Sequence, residues 1–89
     1  MLNNEQRITA IKKRLETLEP TFINIIDDSA QHAGHTSAQG GGHFTLEIAA
    51  AIFTGKTPVT CHRLIYDAIG NLMGSEIHAL SIKITRPSL

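Results

Sequence analysis

The sequence predicts a single α+β domain, and three observations carry that prediction. Ile8, Ile11, Leu15 and Leu18 recur at gaps of three, four and three, which draws one apolar stripe along a helix. Phe44, Leu46 and Ile48 alternate with Thr45, Glu47 and Ala49, the period of a half-buried strand. Thr57-Pro58 opens a second helix, with a hydroxyl to cap it and a proline where no donor is needed. Eighty-nine residues leave room for one domain, and at 42% hydrophobic and 18% charged the chain has enough apolar surface to fold.

Taken in order, Asn3 or Asn4 caps the first helix, with Glu5 near its positive end. Arg7, Lys12, Lys13, Arg14 and Glu16 occupy its solvated face, and Pro20 stops it. Phe22 to Asp28, rich in β-branched residues, reads as a strand. Residues 30–42 hold Gly34, Gly40, Gly41 and Gly42 among polar residues and read as a flexible loop. The strand from Phe44 returns antiparallel to the first. Ala50 to Phe53 turns helically before Gly55-Lys56. The helix from Pro58 passes Gly70 and ends at Gly74 through a left-handed residue. His78, Leu80, Ile82 and Ile84 then fall on one face of a last strand. The order is α-β-β-α-α-β: a compact domain with a three-stranded sheet and helices on one face.

Zero formal net charge argues against a dominant electrostatic grip on nucleic acid. A single cysteine, Cys61, cannot form an internal disulfide, and no run reaches the ~20 apolar residues that span a bilayer. These features, with a polar and acidic start, describe a soluble cytoplasmic chain without a membrane partner. Catalysis finds no support. Cys61 and His62 are adjacent, so a helix points them about 100° apart, out of hydrogen-bond reach. Cys61 reads as a buried apolar residue. The Gly40-Gly41-Gly42 run precedes a strand, not the helix terminus that cradles phosphate.

Five histidines are the remaining chemical signal. His32 and His35 read as solvated loop residues or as ligands closed by a partner. His78 reads as a strand-end histidine, and His43 as one able only to pair across the loop edge. Two imidazoles fall short of the four ligands of a structural zinc site, but a histidine pair can ligate one iron of a [2Fe–2S] cluster. Lys12, Lys13, Arg14, Lys56 and Arg63 offer a basic patch, with His62 beside it, against a background of few aromatics for stacking.

Phe53-Thr54-Gly55-Lys56, Cys61-His62-Arg63-Leu64-Ile65-Tyr66 and Ile77-His78-Ala79-Leu80 together resemble the BolA family. Its pattern is a Phe-x-Gly-Lys turn, an Arg-His-Arg-x-Val-Tyr helix and an Ile-His-Ala-Leu strand. Asp27-Asp28-Ser29, His32-Ala33-Gly34-His35 and His43-Phe44 extend the likeness, which spans about residues 5–87. The resemblance implies a class II KH-like fold without the Gly-x-x-Gly loop. It further implies a non-enzymatic adaptor in iron–sulfur cluster assembly, trafficking or iron sensing. The adaptor would pair with a monothiol glutaredoxin of the Cys-Gly-Phe-Ser type and share a glutathione-ligated [2Fe–2S] cluster. No cofactor is expected in the isolated chain, a monomer or weak homodimer. His78 falls on the family's usual ligand, and His32 matches the loop ligand best, with His35 as the fallback. The alternative is a DNA-binding transcriptional regulator using a KH-like or helix-turn-helix-like surface around Lys56, His62 and Arg63. Two departures from the pattern stand out. Cys61 replaces the usual Arg, and the triple glycine loosens the loop so that the second ligand could exchange among His32, His35 and His43.

Overall fold

A computed structural model describes residues 2–28 and 42–85. Helix α1 runs Asn4–Leu15. Asn3 caps it in a capping box: its Oδ1 accepts from Gln6 N at 2.8 Å, and Asn3 N donates to Gln6 Oε1 at 2.9 Å. Pro20 does not end this helix. A 3-10 turn, Glu16–Leu18, follows α1, and Glu19 (φ 52°) takes the left-handed conformation that redirects the chain. Pro20 instead starts strand β1, Pro20–Asp27. Proline is tolerated there because Pro20 is the first residue of an edge strand.

Strand β2, Gly42–Ala50, pairs antiparallel with β1 as the alternation predicts. Gly42 therefore belongs to the strand, not to the loop expected over 30–42. The predicted helical turn is a 3-10 turn at Ala51–Phe53. Helix α2, Pro58–Ile69, has Thr57 as its cap, the hydroxyl accepting from Thr60 N at 3.2 Å. It ends earlier than expected, at Gly70 (φ 60°), where Arg14 Nη1 donates to the carbonyl of Ile69 at 3.0 Å. Gly74 (φ 90°) lies instead in a kinked turn, Leu72–Ser75, whose Met73 and Gly74 leave helical geometry before strand β3, Ile77–Ile84.

The sheet order is β1-β2-β3, with β3 parallel to β2. Ile11 and Leu15 of α1, and Cys61, Ile65 and Ile69 of α2, bury against Ile25, Phe44, Leu46 and Ile48. Burying each large aliphatic or aromatic side chain stabilises the fold by about 1.5–3 kcal/mol over leaving it in water. Both helices thus cover the sheet face presented by even-numbered β2 residues, and Cys61 is fully buried as expected. The opposite face carries Phe22 and Ile26 of β1, both exposed, with Thr45 and Glu47 of β2.

Candidate histidine site at the start of β2 and β3

Alternation alone puts His78 on the core face with Leu80, Ile82 and Ile84. The structure corrects this. Gly42 pairs with Ile77, yet His43 pairs with Ala79, so one step along β2 matches two along β3 and His78 is the extra residue. Ile77 and Leu80 can then both face the core although their numbers differ by an odd count, while His78 is exposed. Its ring lies against His43, with centroids 5.0 Å apart and planes at 48°.

His43 owes its position to the strand pairing on both sides. Its carbonyl accepts from Asp28 N at 2.8 Å, and Ala79 lies opposite on β3. The Asp28 carboxylate accepts the Thr45 hydroxyl, which ties the end of β1 to β2. Beside the histidines an open groove of about 680 Å³ runs over the outer sheet face, lined by Asp28, His43, Thr45, Ala79, Ser81 and Lys83. An open groove of this kind offers a surface to a partner.

The 5.0 Å separation is that of two rings in contact, and one shared ion would also hold two imidazoles at such a distance. With metal–nitrogen bonds of about 2.0–2.1 Å and a tetrahedral angle, two imidazoles on one ion hold their centroids about 5 Å apart. Among the described residues no group of three or more His, Cys, Asp or Glu side chains converges on a metal position. His32 and His35 lie outside the described residues. Sequence reasoning placed His43 at the loop edge; burial of the adjacent Phe44 turns it to the outer face, where its ring meets His78.

Of the expected basic surface, Lys56, His62 and Arg63 lie around the start of α2, while Arg14 lies on α1. Lys56 and Arg63 are exposed and His62 is half-buried at the start of α2, with Lys56 Nζ donating to Ile52 O at 2.6 Å. Arg14 is engaged with Ile69 O and with Asn71 Oδ1, the latter at 3.3 Å, at the end of α2. No helix among the described residues is long and apolar enough to cross a membrane.

The family model of BolA-like proteins matches residues 15–88. The chain belongs to the BolA family. It is 40% identical over 85 residues to SufE-like protein 1, chloroplastic/mitochondrial, of Arabidopsis thaliana, a match covering 88% of the chain and 23% of that longer protein. The DNA-binding transcriptional regulator BolA of Escherichia coli K12 is 27% identical over 77 residues, covering 81% of this chain and 71% of the regulator. Among solved structures, the BolA domain of SufE1 from Arabidopsis thaliana superposes with a TM-score of 0.75 at 38% identity, covering 98% of this chain and 96% of that one. The α+β architecture is that of a BolA domain, as the motifs from Phe53 to Leu80 imply.

Proposed function

We propose that this BolA-family chain is a non-catalytic adaptor that shares a [2Fe–2S] cluster with a monothiol glutaredoxin. The observation that supports the reading is the His43–His78 contact, two imidazoles with ring centroids 5.0 Å apart at the start of β2 and β3. Two imidazoles alone do not close a tetrahedral set, so in this reading a partner brings the remaining ligands. His78 supplies one ligand. His43 is the second that the geometry favours, and His32, with His35 behind it, is the loop alternative. Imidazole in place of thiolate at one iron raises the reduction potential, because a neutral ligand leaves less negative charge on the cluster. The open groove beside the pair leaves room for the partner to approach.

The test is an anaerobic titration of a cluster-loaded Cys-Gly-Phe-Ser glutaredoxin with this chain, followed by visible absorption and circular dichroism. The expected result is a new spectrum saturating at about one chain per cluster, lost in His78→Ala and weakened in His43→Ala. Loss in His32→Ala with His43→Ala unaffected would move the second ligand to the loop. A spectrum that the wild-type chain leaves unchanged refutes the adaptor reading.

The likeness to the DNA-binding transcriptional regulator BolA of Escherichia coli favours a second reading, duplex DNA binding through the α2 start. Lys56, His62 and Arg63 would meet phosphate there, and the measurement that decides it is the salt dependence of duplex affinity.

A further inference from the structure

Among the described residues, Arg7 is the one charged side chain in the buried class, 8% exposed on a helix face that the sequence marks as solvated. Its guanidinium is spent on two contacts. Nε donates to Glu76 Oε1 at 3.1 Å, and Nη1 donates to Asn4 Oδ1 at 2.8 Å. Asn4 Nδ2 donates in turn to Asp27 Oδ2 at 3.0 Å. A continuous chain of polar contacts, Glu76–Arg7–Asn4–Asp27, therefore links the start of β3 to the end of β1 through α1.

Both ends of that chain adjoin the histidines. Asp27 precedes Asp28, whose amide and carboxylate hold His43 O and the Thr45 hydroxyl. Glu76 precedes Ile77-His78, and its carbonyl accepts from Gly42 N at 3.2 Å, directly before His43. The register shift that turns His78 outward falls within two residues of Glu76. Desolvating an ion pair offsets much of its attraction, so well-packed apolar residues often serve stability as well. What an ion pair with a planar fork adds is fixed direction at both ends.

We infer that the Arg7–Glu76 pair is a positioning device that holds the β3 start in the shifted register and so keeps His78 against His43. The inference rests on the adaptor reading for its purpose and on the geometry alone for its mechanism. Without the pair, β3 can relax toward regular alternation, which would carry His78 away from His43.

The decisive experiment compares Glu76→Ala with wild type by nuclear Overhauser cross-peaks between the His43 and His78 rings, alongside the lifetime of the cluster shared with glutaredoxin. Cross-peaks should be present in wild type and lost in Glu76→Ala, with cluster lifetime falling about 10- to 100-fold, the usual effect of removing a group that orients metal ligands. Glu76→Gln keeps an oxygen acceptor and should retain most of both signals. Ile65→Val, a core trim outside the hydrogen-bonded chain, should lower stability without touching either. If Glu76→Ala does not fold, Arg7→Lys takes its place, because an ammonium keeps the charge but not the fork. Cross-peaks that are missing in wild type or persist in the variant overturn the inference, as does an unchanged cluster lifetime once they are lost. A wild-type chain that shares no cluster refutes the adaptor function, while the cross-peaks still decide the positioning role.

Discussion

Gly42→Ala is expected to destabilise the fold through one steric conflict. Gly42 is buried at the first rung between β2 and β3, opposite Ile77. A Cβ there would stand 2.5 Å from Phe44 Cζ, 2.6 Å from Cε2 and 3.0 Å from Asn4 Oδ1. The Phe44 ring cannot swing into solvent without leaving the core, where it is 2% exposed. Forcing a methyl into a filled site costs about 1–3 kcal/mol. Restricting the unfolded chain returns about 0.4–1 kcal/mol, so a net loss of roughly 1–2 kcal/mol remains. For a domain of this size that lowers Tm by roughly 4–16 °C. Thermal unfolding followed by far-ultraviolet circular dichroism measures it. The conflict also predicts coupling: in the Gly42→Ala background, Phe44→Leu should cost at least about 0.5 kcal/mol less than it does in wild type. A Gly42→Ala chain that melts with wild type, or a double variant that is simply additive, would refute the argument.

Cys61 is fully buried with Sγ 3.9 Å from Phe53 O, a long contact that a shorter hydroxyl cannot reach well. Cys61→Ser should therefore cost about 1–3 kcal/mol in urea unfolding, and a loss no larger than that of Cys61→Ala would contradict this account. If duplex binding is real, log affinity should fall linearly with log salt at about 0.9 per phosphate contacted, and Lys56→Ala and Arg63→Ala should each lower the slope by about one. Duplex affinity indifferent to salt removes the DNA reading.

Most of the fold was legible because it is written in short-range signals. Asn3 with Gln6, and Thr57 with Pro58 and Thr60, mark helix starts through contacts three residues apart. The stripe from Ile8 to Leu18 and the alternation from Phe44 to Ile48 each follow a period that one element sets for itself. Boundaries were less legible. Gly70 and Gly74 both have positive φ, and which of them ends α2 depends on Arg14 reaching the carbonyl of Ile69 from another helix.

The site was legible by half. His78 stands out from its motif, but its direction follows from a register shift against β2, and period two predicts the wrong face. Arg7 looked solvated because charged residues off the apolar stripe of a helix usually are. Its acceptor, Glu76, lies 69 residues away, beyond any local pattern.

The sequence by itself determined the family, the element order, the helix caps and the residues of the core, since burial preference and backbone geometry act over a few neighbouring positions. The tertiary structure decided which histidine meets His78, why Gly42 must lack a side chain, and where the charge of Arg7 is used. Each of these depends on parallel pairing of β2 with β3 and on α1 crossing the strand ends. The His43–His78 and Arg7–Glu76 contacts join residues that the chain separates by tens of positions, and the Phe44 ring crowds Gly42 only because packing holds it in the core.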